Sequence, residues 1–234
     1  MLFRNMLFSA LLLALFAVFG SGLVAMTHQA TAERIQRNER EALLESINTL
    51  VPRSNYDNDL FRDHIQVTDP QLLGTKDPVD VYRAREEHHP VALVLTPIAP
   101  GGYGGDIKLL VAIRYNGSIA GVRVMSHHET PGLGDRVEIE KSDWVTKFNG
   151  HSLGDPAPDK WKVKKDGGIF DQFTGATITP RAVVKGVYNT LRYFKAHRDE
   201  LFTRQAPSDD EHEKAHLDEQ GGKRGSAKKE AVHG

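Results

Sequence analysis

Ile107-Lys108-Leu109-Leu110-Val111-Ala112-Ile113-Arg114-Tyr115-Asn116-Gly117-Ser118-Ile119-Ala120-Gly121-Val122-Arg123-Val124-Met125 is the stretch on which the fold turns. Two apolar runs, Ile107 to Tyr115 and Ile119 to about His127, flank Asn116-Gly117. A type I′ turn needs positive φ at both central residues, and Asn-Gly tolerates this, so the stretch predicts a hairpin. Val91 to Thr96 predicts another strand upstream, joined to the hairpin by Pro100-Gly101-Gly102-Tyr103-Gly104-Gly105. That glycine-rich segment precedes a strand rather than a helix. No helix N-terminus is offered to a pyrophosphate, so the dinucleotide fingerprint fails and the segment reads as a flexible connection in an antiparallel meander.

Helices are expected around this meander. Ser142 to Phe148 predicts a short helix capped by Ser142, with Trp144, Val145 and Phe148 on one face. Asp155-Pro156-Ala157-Pro158 is a loop, and Trp161-Lys162-Val163 begins a further strand that ends at Gly167-Gly168. Thr179 at the cap and Pro180 in the first turn open a last helix, with Val183, Val184, Val187, Leu191 and Phe194 as its buried stripe. Upstream, Asp69-Pro70 and Asp77-Pro78 punctuate a loop, and Ile35, Leu43, Ile47 and Leu50 predict a helix over Ala32 to Leu50. The soluble part reads as α+β.

The chain has 234 residues, 39% of them hydrophobic, and with its 21 glycines it has the composition of a protein that buries a core. Thirty basic and 31 acidic residues leave a net charge of −1, which argues against a nucleic-acid partner. There is no cysteine, so disulfides, zinc-thiolate sites, iron–sulfur clusters held by the chain and cysteine nucleophiles are excluded. Redox chemistry here needs a cofactor that does without thiolate ligands.

From Asn5 to Thr27 no side chain ionises, and Met6 to Met26 is a nearly unbroken apolar run. About twenty residues of helix cross the hydrocarbon core, so one transmembrane helix is expected. A signal peptide also begins with a basic segment and an apolar stretch, and Ala30-Thr31-Ala32 resembles a cleavage site, but this run exceeds an ordinary signal core. A retained anchor is the reading that its length supports. Ala17, Ser21 and Ala25 recur at a helix-packing interval, a weak sign of a membrane partner. Arg34, Arg37 and Arg40 follow the helix and Arg4 precedes it, so the positive-inside rule taken alone would keep the soluble part in the cytoplasm. Beyond about Pro207 the chain is rich in Asp, Glu, Lys, His and Gly, and a disordered tail is expected over 205–234. His212, His216 and His233 in it read as solvated rather than as metal ligands.

Chemistry concentrates in Asp171-Gln172-Phe173-Thr174-Gly175-Ala176-Thr177-Ile178-Thr179-Pro180. Read from its residues, this is a turn that presents Thr174, Thr177 and Thr179 at a helix N-terminus, where unpaired amides and the helix dipole favour an anion. Plain capping by Thr179 is the simpler reading on these grounds. The stretch also resembles the acceptor motif of flavin transferases: Asp, two residues, Ser or Thr, Gly, Ala, then the modified Thr or Ser. Asp171, Thr174, Gly175, Ala176 and Thr177 match it position by position. A second match lies at His127-His128-Glu129-Thr130-Pro131-Gly132-Leu133-Gly134. The two together resemble the FMN-binding domain shared by the G subunit of the Rnf (also Rsx) electron-transport complex and the C subunit of the sodium-pumping NADH:quinone reductase. The likeness runs over about residues 1–200, including Lys141-Ser142-Asp143-Trp144 and Lys164-Lys165-Asp166-Gly167-Gly168, with the Rnf G subunit the nearer.

This resemblance implies an anchor over 1–29, a periplasmic FMN-binding domain over 30–204 and a tail outside the family pattern. It implies FMN joined through its phosphate to Thr177, with Thr174, Gly175, Ala176 and Thr179 around it. The segment of Glu129, Thr130 and Leu133 would fold against the flavin ring, with Glu129 acting on loop geometry or local charge. The function implied is an electron-carrying flavoprotein subunit of an ion-translocating complex in the bacterial inner membrane. Its partners would be the other membrane subunits and, during maturation, a flavin transferase. No catalytic base or nucleophile is evident. His127, His128 and Glu129 do not read as a metal site, because neighbours on a strand face opposite ways. His88-His89 reads as a solvated turn. The alternatives are a membrane-anchored assembly or sensor module without cofactor, and an independent FMN reductase, for which no nicotinamide fingerprint is present.

Overall fold

The computed structural model describes residues 2–204, so the expected tail and its three histidines lie outside the described residues. The chain divides into two compact units, 1–46 and the part that begins at Ile47. The first is a helix. Helix α1 (Leu2–Leu50) is continuous, and Arg4–Val24 within it is long and apolar enough to cross a membrane. The large apolar side chains of this stretch, among them Leu11, Leu15 and Phe19, are exposed.

The second unit is built on a six-stranded antiparallel sheet. Its strands are β1 (His64–Val67), β2 (Val79–Glu86), β3 (His89–Leu95), β4 (Ile98–Gly102), β5 (Gly105–Arg114) and β6 (Ile119–Ser126). Strands β1, β2, β3 and β5 lie side by side in that order, and β5 also pairs with β4 and β6. The expected strands correspond to β3, β5 and β6. The expected flexible connection is corrected: Ile98 to Gly102 forms β4, and Gly102 pairs with Gly105 across a tight turn at Tyr103-Gly104. Sequence reasoning missed β1 and β2, although His64 to Val67 and Val79 to Glu86 alternate at the strand period. Arg83 and Arg85 on β2 disguise that alternation.

Why β5 is apolar on successive residues follows from its position. Leu109, Leu110, Val111, Ala112 and Ile113 are all buried, so both faces of the strand are covered. Helix α2 (Ile178–Thr203) covers one face, where Gly186 lies so close to β4 that a Cβ on it would be 2.7 Å from the Ala99 Cβ. Val183, Val184, Val187, Leu191 and Phe194 are buried as expected, each contributing about 1.5–3 kcal/mol. Gly121 pairs with Ala112, and Leu50 lies against Gly121, so the chain around Leu50 covers the opposite face.

Two turns exchange roles relative to expectation. At Asn116-Gly117 only Gly117 has positive φ (+87°), and the Gly117 N–H donates to the Arg114 carbonyl at 2.8 Å. This is a turn closed by a left-handed glycine, not a type I′ turn. The double positive-φ turn instead lies between β2 and β3, at Glu87 (+48°) and His88 (+68°). Side chains there are strained. Glu87→Asn combined with His88→Gly is therefore expected to stabilise the protein by about 1 kcal/mol, read as a higher denaturant midpoint for the detergent-solubilised chain.

The predicted helix at Ser142 is a 3-10 segment, Asp143–Phe148, and Ser142 caps it by accepting from the Trp144 amide at 3.2 Å. The strand expected from Trp161 is not formed. Residues 161–170 instead fold into a tight loop in which Phe170 N–H donates to Lys162 C=O at 3.2 Å and Lys164 N–H to Phe170 C=O at 2.7 Å. Gly168 makes this possible, because a Cβ there would sit 1.8 Å from the Lys162 carbonyl oxygen.

The C-terminal end of α2 is fastened to β2 by arginines. The last carbonyls of a helix lack intrahelical donors. Arg83, only 2% exposed, donates to the carbonyls of Leu201 and Arg204, and Arg85 donates to that of Phe202 at 2.6 Å. Both guanidinium groups also meet the Asp63 carboxylate. Burial pushes the Arg83 guanidinium below its usual range, and the Asp63 charge opposes that shift.

Candidate functional site

The stretch over 171–180 contains a built turn. The Ala176 amide donates to the Phe173 carbonyl at 3.1 Å, with Gly175 third in the turn at φ +82°. That conformation is the type II arrangement, which favours glycine at this position. Phe173 is buried edge-on against Trp144, with ring centroids 5.3 Å apart, and the Arg136 guanidinium lies over the Phe173 ring, 5.1 Å from its centroid. The Trp144 indole N–H donates to the Asp171 carbonyl at 2.7 Å, while Lys164 Nζ meets the Asp171 carboxylate at 2.5 Å. One side of the turn is thereby held by the core, and Thr174 and Gly175 are left exposed.

The three threonine hydroxyls have different fates. Thr174 is exposed. The expected cap at Thr179 is corrected: this residue lies inside the first turn of α2, fully buried, and its Oγ1 donates to Glu129 Oε2 at 2.5 Å. The cap position belongs to Thr177, which has helical backbone angles (φ −78°, ψ −25°) and makes no side-chain capping bond. Thr177 is half-buried, and its hydroxyl has no hydrogen-bond partner among the described residues. Beside it, the amides of Ile178 and Thr179 have no intrahelical acceptor, whereas Pro180 has no N–H and the Arg181 amide donates to the Thr177 carbonyl at 3.4 Å.

Glu129 is the point where three segments meet. It is 6% exposed, and its carboxylate accepts from Thr179 and, at 3.1 Å, from the Gly104 amide in the β4–β5 turn. A Cβ on Gly134 would lie 2.5 Å from Glu129 Oε2, and one on Gly102 would lie 2.5 Å from Oε1. These contacts fix the geometry of the loop at its first residue. The Thr130 carbonyl accepts from the amides of Leu133 and Gly134, closing the loop on itself. Leu133 then projects outward, 42% exposed, with Cδ2 at 3.4 Å from where a Cβ on Gly175 would be. The Glu129–Leu133 loop and the turn at Gly175 are therefore neighbours.

Glu129→Gln retains an acceptor for one donor and offers an amide N–H to the Thr179 oxygen. A cost of about 1 kcal/mol is expected, against roughly 2–4 kcal/mol for Glu129→Ala, which strands both donors. Comparing the two denaturant midpoints checks this.

The histidines sort cleanly. His127 Nε2 lies 2.6 Å from Glu138 Oε1 and its Nδ1 accepts from the Glu129 amide at 3.0 Å, whereas His128 is exposed. His127 thus orients the start of the loop. Sequence reasoning did not single out Lys164 and Arg136, which touch Asp171 and Phe173 of the turn; Asp135 is buried, and its Oδ1 has no hydrogen-bond partner among the described residues. At the far side of the 161–170 loop, a hydrogen bond from Arg181 holds the Asp166 carboxyl below its usual range, with both contacts at 2.6 Å.

These features coincide with similarity to known proteins. The pattern of the FMN-binding domain family matches residues 102–192, and that of the RnfG N-terminal region matches residues 1–50. The G subunit of the ion-translocating oxidoreductase complex from Pseudomonas aeruginosa (strain UCBPP-PA14) is 51% identical over 198 residues, covering 85% of this chain and 92% of that one. The protein of the same description from Vibrio cholerae serotype O1 (strain ATCC 39541) is 46% identical over 199 residues, covering 85% and 95%. Among solved structures, the C subunit of the Na(+)-translocating NADH-quinone reductase from Parabacteroides distasonis aligns with a TM-score of 0.40 and 21% identity, over 64% of this chain and 72% of that one.

Proposed function

We propose, for a chain that belongs to the family of G subunits of ion-translocating oxidoreductase complexes, that it carries electrons on FMN attached through a phosphoester to Thr177 Oγ1. The observation that supports attachment at this residue is the contrast between hydroxyls. Thr177 is unbonded at the first turn of α2, and Thr179 is committed to a buried carboxylate. The residues present fit the group. The phosphoester keeps a negative charge, and the first-turn amides and helix dipole stabilise one there. Gly175 and Ala176 add little bulk beside the hydroxyl, and Thr174 stands exposed on the approach. Glu129, Thr130 and Leu133 form the loop that borders the turn.

When bound, the flavin supplies reversible uptake and release of electrons; the chain supplies its position and surroundings. No proton-transfer group or nucleophile of the chain is required. The chain works as a flavoprotein subunit of a translocase, with the other membrane subunits of the complex as partners and without turnover of its own. A flavin transferase makes the bond during maturation.

In the same reading, residues 1–29 anchor the chain in the bacterial inner membrane, 30–204 form the periplasmic FMN-binding domain and 205–234 form the charged tail. Covalent attachment accounts for a cofactor kept outside the cytoplasm. A C-terminal alkaline-phosphatase fusion is expected to be active and a cytoplasmic reporter silent; the reverse pattern would overturn the orientation. Intact mass of the detergent-extracted chain tests the attachment. A mass increased by one FMN phosphoester is expected, with a fluorescent band after denaturation. An unmodified mass from cells that hold the whole complex would favour the cofactor-free assembly module.

A further inference from the structure

In the β4–β5 turn the backbone sets the identity of every residue but one. Gly101 and Gly105 have φ of +80° and +116°, where other side chains are strained. A Cβ on Gly102 would meet Glu129 Oε1 at 2.5 Å, and one on Gly104 would meet the His128 carbonyl oxygen at 1.8 Å. The tip therefore lies flat against the start of the Glu129–Leu133 loop. Tyr103, in the middle, is 72% exposed. Among the described residues its ring takes part in no hydrogen bond, ion pair or ring contact. The fold calls for glycine at four positions here and has no use of its own for an aromatic at the fifth.

Tyr103 also has company. The Gly104 amide ties the tip to Glu129, and Thr179 ties the acceptor turn to the same carboxylate. Leu133 reaches Gly175, and Ile178, 47% exposed, directly follows Thr177. Isolated exposed apolar side chains need no explanation. Here three of them ride on segments joined at one buried acid, and a group on Thr177 would leave from the border of that set.

We propose that Tyr103 is a ring-facing residue of the flavin site: its phenol packs against the isoalloxazine of the FMN held at Thr177, with Leu133 on an apolar edge. This rests on attachment at Thr177. Aromatic rings gain most from offset stacking, and a tyrosine can stack while its hydroxyl stays in water. The occupant is the chain's own cofactor rather than a partner subunit, because the patch borders the attachment point.

The test uses the full chain, flavin-loaded in cells and extracted in detergent. An excited flavin takes one electron from an adjoining phenol and returns it without emitting, so the wild type is expected to be dim. Tyr103→Leu is expected to keep the flavin mass and emit several-fold more. Tyr103→Trp, still oxidisable, is expected to stay dim. If Tyr103→Leu does not load, Tyr103→Phe keeps the packing surface without the easily oxidised phenol, and bright emission from it supports the assignment. Unchanged emission in a loaded Leu or Phe variant overturns the assignment, and loss of co-purification with the other subunits in that variant would mark Tyr103 as a partner contact. Absence of flavin mass in the wild type brings down attachment at Thr177, and the role of Tyr103 with it.

Discussion

Thr177→Ala is expected to remove the flavin mass from the chain completely while shifting the denaturant midpoint by less than the equivalent of about 1 kcal/mol. The two halves of this result have separate causes. Chemically, no other hydroxyl in the stretch combines accessibility with a place at the first turn. Thr179 is sealed against Glu129, and Thr174 lies before the helix on the other side of Gly175. Structurally, Thr177 makes no capping bond, so deleting its hydroxyl costs less than the loss of a working cap, which would be about 1 kcal/mol. Thr179→Ala should behave in the opposite way: the flavin stays and stability falls, because a buried carboxylate loses a donor. Peptide mapping that finds flavin on Thr174 or Thr179 in the wild type would defeat the assignment.

Arg83→Leu is expected to cost about 3–5 kcal/mol, the range for removing one partner of a buried pair. The carbonyls of Leu201 and Arg204 lose their guanidinium donor together, and the Asp63 carboxylate is left with only Arg85 and Asn58 as partners. Arg85, more exposed and with fewer partners, should cost less when replaced by Leu. A double-variant cycle with Asp63→Asn isolates the cause. If the carboxylate left behind accounts for much of the penalty, Arg83→Leu costs less in the Asp63→Asn background. Equal costs in both backgrounds would assign the loss to the helix carbonyls and to packing.

The meander and the stripe of α2 were legible because they depend on periodicity alone. Leu109 to Ile113 is apolar at every step, and Val183, Val187, Leu191 and Phe194 recur at the helical interval. β2 was illegible for a reason specific to Arg83. An arginine at an inward position reads as solvent-facing until its partners, more than a hundred residues away at the end of α2, are known. The same limit applies to the site. The motif singled out Thr177 as the expected attachment point, a reading that peptide mapping tests. What Thr179 does could not be read, since its partner Glu129 is fifty residues earlier and local spacing favoured a cap. The turn assignment failed through residue preference: Asn-Gly suits positive φ better than Glu-His, yet the register of β2 against β3 places two left-handed residues at Glu87 and His88. The tight loop of 161–170 was mistaken for a strand because Trp161 and Val163 alternate with lysine, a period that a folded-back loop produces as readily.

The hydrogen bond from Gly104 to Glu129 also has a signature in time. A glycine amide at the tip of a solvent-exposed hairpin ordinarily trades its proton with water almost at once. This one is held by a buried carboxylate whose other oxygen is bonded to α2, so it exchanges only when the tip lifts away from the Glu129–Leu133 loop. Its deuteration rate becomes a clock for that opening, read at a single glycine without touching the flavin.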